Sequence, residues 1–402
     1  MRILWHMPVL NRCGCGLSTR AVKLAREVVR RGHQVQFVVR AGRTDAGESI
    51  EGIPVSEITA AEGRPVHWSF QQHARMTTVC RVVDRIEPAH DLFISCQPEA
   101  IGRYKIKFPN QPAMFVCGGT TLLHDAANEM RRGRLSMLRQ IPFRVDRSLK
   151  RRHERDAFRR ADAVVFDSAT TRTLVTNHYG VDPKKCHAIL GGVDQDEFFP
   201  PSPAQREQAR KSLNTRDGEF VIAWTGRLSP EKNVELLLRA VGRCTSAPRL
   251  LIVGDGNLRD SLELLAHSLQ IADRVSFAGR QTDVSPYLHA ADLFVFPSMG
   301  ESFGGALAEA MACALPCVAL RADSQMVRNA ANEIFQDGEC GRLVSSTAPA
   351  ALAASIDDLL ASPEARRELA ARAAVRAREH FTWRSAGAAL ARVVEELASR
   401  KT

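Results

Sequence analysis

The sequence predicts two doubly wound α/β domains facing a cleft. At 402 residues the chain exceeds what one ordinary core holds. Short, continuous apolar runs alternate with amphipathic helical segments, the pattern of parallel strands buried on both faces. This alternation continues on both sides of a proline-rich stretch, Pro200, Pro201 and Pro203, which reads as a linker.

The composition is that of a soluble globular protein, with 45% hydrophobic and 25% charged residues. No run approaches the ~18 apolar residues of a membrane-spanning helix. The opening Met1–Leu10 carries one basic residue ahead of its apolar core and runs into glycines, so it reads as a first strand and not a signal peptide. A cytoplasmic protein is the expectation. Ten cysteines are scattered without a CxxC pair, which favours free thiols over disulfides or a zinc site. The net charge of +10 lies wholly in residues 1–200, where 31 Lys+Arg face 21 Asp+Glu; residues 201–402 hold 24 of each. A specific acidic partner for the first half follows.

In chain order, Arg2–Met7 is the first strand, and a helix from Leu17 to about Arg31 ends at Gly32. His33–Arg40 is the next strand, with Val35, Phe37 and Val39 alternating. The turn between the first strand and the helix holds Gly14 and Gly16 without the third glycine of the dinucleotide fingerprint, so NAD is disfavoured. Asp91–Ser95, Ala113–Cys117 and Ala163–Ser168 read as further strands or strand ends. Met130–Arg160 carries twelve Lys/Arg against Asp146, Glu154 and Asp156, interleaved with Met137, Leu138, Ile141, Phe143, Val145 and Leu149. Two readings stand for 131–160: a surface for an anionic membrane, or solvated helices packed on their own domain. Asp194-Gln-Asp196 spells D-x-D, but it runs into the proline-rich linker and matches by chance often, so no metal is expected.

In the second half, Phe220–Trp224 is a strand, and Thr225–Lys232 opens the helix Val234–Val241. Leu250–Gly256 and Val275–Arg280 are further strand–turn units. Leu293–Phe296 is a strand ended by Pro297 and Ser298; Glu301, Ser302, Phe303 and the pair Gly304-Gly305 lead into a helix from about Ala306 to Ala312. Free N–H groups at that helix entry, with the helix dipole, favour an anion. Glu301 and Glu309 frame it. Carboxylates only accept hydrogen bonds, so they suit sugar hydroxyls better than phosphate. A ligand with hydroxyls on both sides of a phosphate is a nucleotide sugar.

Glu301-Ser-Phe-Gly-Gly-Ala-Leu-Ala-Glu309 resembles the E-x7-E motif of the retaining GT-B glycosyltransferases of family four. Gly226-Arg227 to Lys232 resembles their GR-x4-K motif, and Val253-Gly-Asp-Gly256 their VGDG turn. The resemblance covers nearly the whole chain. It implies that Arg227 and Lys232 reach the donor diphosphate, that Glu309 binds the ribose and Glu301 the transferred sugar, and that Arg280 borders the base. Ser302, Phe303, Gly304, Gly305 and Gly226 belong to the donor loops it implies, and Gly14 and Gly16 approach the donor phosphates. Fixed cations fit the chemistry, because negative charge grows on the leaving diphosphate as the glycosidic bond breaks.

The resemblance also implies domains of 1–199 and 204–384, with the helix 385–402 packed back on the first, and no cofactor. The chain resembles envelope polysaccharide and lipopolysaccharide-core glycosyltransferases of this family, which favours an anionic membrane surface at 131–160. Two departures are local. Cys117-Gly118-Gly119 stands where many members carry a histidine, leaving His124 and Asp125 as acceptor-side candidates, and Arg321–Glu333 replaces a glycine-rich turn. The expected activity moves a hexose, with retention, from a nucleotide-diphosphate sugar to a saccharide or lipid-linked acceptor. A sugar-nucleotide epimerase of the same fold is the alternative. A nucleic-acid-binding protein fits less well, since only Phe143 and Phe158 interrupt the Arg run. The sugar, base, acceptor and oligomeric state stay open.

Overall fold

A computed structural model describes residues 1–11, 16–60, 71–123, 137–323 and 325–400, with backbone only for 71–75 and 137–144. The chain forms two compact units. The first holds the residues up to Leu122, most of the stretch up to Gly191, and the C-terminal helix Trp383–Ser399. The second is built on Gly192–Thr382.

The first unit carries an eight-stranded sheet. Its strands are β1 (Arg2–His6), β2 (Gln34–Arg40), β3 (Ser49–Ile50), β4 (Ile53–Ile58), β5 (Leu92–Ser95), β6 (Ala113–Cys117), β7 (Ala163–Phe166) and β8 (Cys186–Ala188), in the order β3-β4-β2-β1-β5-β6-β7-β8. Only the β3–β4 pair is antiparallel. Every residue of β5, β6 and β7 is buried, which is what their unbroken apolar runs require. The helix Gly16–Arg30 turns Ala21, Val22, Leu24, Ala25 and Val28 inward. The C-terminal helix packs beside it, burying Leu390, Ala391, Val394 and Leu397 in the same core. Gly387 makes this contact possible, because a Cβ there would lie 2.1 Å from the Glu27 Cβ.

The second unit carries six strands, all parallel: β9 (Val221–Thr225), β10 (Arg249–Val253), β11 (Val275–Gly279), β12 (Leu293–Phe296), β13 (Cys317–Leu320) and β14 (Arg342–Val344). Their order is β11-β10-β9-β12-β13-β14. The chain enters this unit at Gly192, upstream of the prolines proposed as the linker. The reason is a backbone tie: Val193 N–H donates to the Phe381 carbonyl at 2.9 Å. The prolines instead precede the helix Pro203–Ser212, whose start Ser202 and Gln205 close as a reciprocal capping box.

Each sheet reverses its strand order once, between β1 and β5 and between β9 and β12. In open α/β sheets, ligands sit outside the carboxyl ends of the strands at such a reversal.

Candidate active site

The site of the second unit is assembled at the carboxyl ends of β9 and β12. After β9, Gly226 adopts φ +149°. Its N–H donates to the Val253 carbonyl, and Leu228 N–H donates to the Asp255 carbonyl, both at 2.9 Å. These bonds lay the Gly226–Leu228 turn directly on the Gly254-Asp255-Gly256 turn that follows β10. The approach is so close that a Cβ on Gly254 would sit 1.8 Å from the Gly226 carbonyl oxygen, and one on Gly256 would sit 2.4 Å from that of Leu228. The two turns admit only glycine at these places. Gly254 N–H in turn donates to Gly279 at 2.8 Å, drawing the end of β11 into the same layer.

This backbone stack presents Arg227, whose side chain is 74% exposed and meets Glu231 only at 3.8 Å. A single turn of 3-10 helix, Pro230–Lys232, then delivers Lys232. Its ammonium pairs with the Glu301 carboxylate, and both side chains are about four-fifths buried. Lys232 and Glu301 thus come from opposite sides of the strand-order reversal and meet above it.

The loop after β12 is held as firmly. Met299 N–H donates to the Glu231 carbonyl at 2.8 Å, Arg328 N–H to Met299 at 2.6 Å, and Glu301 N–H to Arg328 at 3.2 Å. Asn329, fully buried, donates through Nδ2 to the Ser298 and Leu320 carbonyls at 2.8 and 3.1 Å. Gly304 turns at φ +90° into the helix Gly305–Ala312, with the Phe296 ring 3.0 Å from where a Cβ would be. Phe303 is buried edge-on against Phe381, ring centroids 5.6 Å apart. Ser302 is buried in the same turn.

Glu309 lies one turn along that helix. Part of the residue reaches solvent, yet burial, with the charge of Glu197 added, pushes its carboxyl up to about 7. It therefore shares a proton near neutrality, while an incoming partner with hydroxyl donors favours the ionised form.

Two family models match in succession: "Glycosyltransferase Family 4" over residues 15–197 and "Glycosyl transferases group 1" over residues 205–376. The chain belongs to this glycosyltransferase family. Among its relatives is the D-inositol 3-phosphate glycosyltransferase of Mycobacterium marinum, 34% identical over 57% of this chain and 49% of that one. The chain thus spans about half the length of the relatives it matches at this level. The enzyme of the same name from Geodermatophilus obscurus is 29% identical over 98% of this chain and 89% of its own. A sucrose-phosphate synthase structure from Thermosynechococcus elongatus superposes with a TM-score of 0.79 at 20% identity, over 99% of both chains. The fold is GT-B, with two Rossmann-like domains.

Gly226, Arg227, Lys232, Glu301, Ser302, Phe303, Gly304, Gly305 and Glu309 fall on the two loops and one helix just described. Arg280 is exposed beyond β11, at the far side of the β10 turn. Gly16 belongs to the first unit, where it begins the Gly16–Arg30 helix with open space around it. Gly14, His124, Asp125 and Arg131, Arg132 and Arg134 lie outside the described residues. Asp194 accepts a bond from Asp196 N–H at 3.2 Å, an ordinary local turn. Sequence reasoning passed over Gly254, Gly256 and Asn329. The first two sat in a quoted motif, but their role as the floor under Gly226 and Leu228 depends on a contact between strands.

Proposed function

We propose that this protein transfers a hexose, with retention, from a nucleotide-diphosphate sugar to a saccharide or glycolipid acceptor. The observation that carries the reading is the convergence of Arg227, Lys232, Glu301 and Glu309 at one strand-order reversal, over a floor made of backbone. Arg227 is exposed and loosely held, so it is free to swing onto a diphosphate. Lys232 is fixed by Glu301, and fixed cations stabilise charge that develops in the transition state without reorganising. Glu301 accepts from sugar hydroxyls on its remaining lone pairs, and Glu309 from the ribose diol once ionised. The diphosphate lies between them, at the N-terminus of the Gly305–Ala312 helix. No metal or cofactor enters this reading.

A thermal-shift screen of UDP-, GDP- and ADP-sugars tests it. A true donor at a hundredfold its Kd raises stability by about 2.7 kcal/mol, and the same donor must then yield a glycosylated product. Absence of a shift with every nucleotide sugar removes the reading.

The acceptor reading is an anionic one, a lipid-linked saccharide or envelope glycolipid at a membrane surface, supported by the charge excess of the first half. The helix Met137–Arg160 carries most of it, and Val145 on that helix is 41% exposed. No described helix is long and apolar enough to cross a membrane. The names of the relatives make a phosphorylated cyclitol the rival acceptor, and it too is an anion. Co-sedimentation with phosphatidylglycerol vesicles separates the two. The lipid reading expects binding at low salt that fades as the Debye length falls to ~3 Å at 1 M. Equal binding to neutral vesicles, or none at low salt, leaves the soluble acceptor.

A further inference from the structure

A second concavity of the donor unit lies away from this site. Strands β13 and β14 extend the sheet beyond β12, so β14 stands about 10 Å from β12 at ~4.8 Å per strand. It is the edge strand. The first half of the helix Pro363–His380 lines the same cavity, and Ala365, Glu368, Leu369 and Arg372 are spaced to share one face of that helix. Edge strand and helix face enclose a cavity of about 340 Å³, whose charged lining is Arg321, Arg342, Arg372 and Glu368.

The charges do not cancel. Arg372 meets Glu368 only at 4.0 Å, with both side chains more than half exposed. Arg321 and Arg342 are half-buried, and among the described residues neither guanidinium has an acid within ion-pair reach. Arg321 is held beside β14 by its own backbone, its N–H donating to the Val344 carbonyl at 2.9 Å. Arg342 lies in the strand itself, in register with Val318. Arg321, Arg342 and Arg372 line one cavity, and guanidinium forks grip an oxyanion in paired hydrogen bonds. Gly341, also in the lining, has no room for a side chain, since a Cβ there would lie 2.5 Å from the Phe335 ring.

We infer that this cavity binds a small phosphate monoester, separate from the nucleotide-sugar site. The volume lies at the lower end of ligand pockets. It exceeds what a bare phosphate fills and leaves room for a small polyol attached to it. The inference goes beyond the transfer reaction and uses none of its residues.

Isothermal titration at low salt tests it, with the full chain carrying Lys232→Ala so that the donor loops hold one cation fewer. Inorganic phosphate and glucose 6-phosphate are the two probes. One saturable site is expected, with affinity falling about tenfold or more on Arg342→Gln, and likewise on Arg321→Gln, at unchanged melting temperature. Arg227→Ala should leave it unchanged. Tighter binding of glucose 6-phosphate than of phosphate identifies a phosphorylated polyol as the ligand; equal binding identifies phosphate itself. If neither probe binds, or if binding survives both arginine substitutions and fails with Arg227→Ala, the site does not exist. Should Arg342→Gln fail to fold, Arg321→Gln alone decides.

Discussion

The two units reverse their strand order in the same way and treat the charges near that point oppositely. In the first, His6 at the end of β1 is buried, with its ring bonded to Ser95 Oγ at 3.0 Å across to β5. Burial lowers its pKa to about 4, so it is neutral near pH 7. Arg20, on the adjoining helix, is paired with Asp167 just past β7, and both side chains are at least 88% buried. Charges there are closed on each other. In the second unit, Arg227 is exposed, and Lys232 and Glu301 keep about a fifth of their surface open. The same reversal of strand order therefore yields one closed polar core and one open ionic site. What differs is the loops, where glycine-only backbone contacts lift the second unit's side chains clear of the sheet.

Removing the open ionic site should have the largest effect. Lys232→Ala is expected to lower turnover by about 10²–10³-fold, the loss typical of one transition-state donor. Nucleotide binding should weaken far less, because the charge Lys232 meets is greatest as the diphosphate departs. Steady-state kinetics beside nucleotide titration measures both. Turnover that survives intact would mean that the pair with Glu301 only braces the loops.

The glycine floor comes next. Gly254→Ala forces a Cβ onto the Gly226 carbonyl at a φ of +136°, and should cost about 2–4 kcal/mol. A glycine turn of the first unit, after β6, makes no such demand. Gly119 has nothing within 4 Å of a Cβ and no positive φ, so Gly119→Ala should fall within about 0.5 kcal/mol of the parent. Urea midpoints of the two variants compare the loops directly. Equal losses would show that the stacked turns in the second unit relax without strain.

These contrasts mark what could be read from the chain alone. The strands were legible because β5, β6, β9 and β12 are buried at every residue and so must be uninterrupted apolar runs. The Glu301–Glu309 stretch was legible because strand, breaker, glycine pair and helix follow within a few residues. The β3–β4 hairpin at Ser49–Ile58 was missed, being short and partly exposed. So was the helix Pro98–Lys107, whose apolar face is interrupted by Gly102. The Lys232–Glu301 pair spans 69 positions and depends on which strands are neighbours. Glu197 lies upstream of the prolines taken as the boundary, and its influence on Glu309 follows from the chain entering the second unit at Gly192.

The smallest expected effect is a change of slope with pH, and it sets one buried group of each unit against the other. Glu309 titrates at about 7 in the folded protein against 4.5 when solvated. Between those values the folded state holds the extra proton, so stability falls as pH rises, by about 1.4 kcal/mol per unit at most. His6 behaves inversely. Its pKa is about 4 when folded and 6.5 when solvated, so the unfolded chain holds the extra proton and stability rises with pH over that window. From about pH 4.5 to 6.5 the two slopes oppose and nearly cancel. Glu309→Gln should remove the falling one, so that its stability relative to the parent climbs as pH goes from 4.5 to 7. His6→Asn should do the reverse, comparing best with the parent near pH 4 and progressively worse toward 6.5. Whatever each substitution costs at fixed pH drops out of these differences. Urea melts of the three proteins at half-unit steps would measure them. A flat difference for Glu309→Gln would place its carboxyl in water, and with it would go the expectation that nucleotide affinity improves as pH rises through 7.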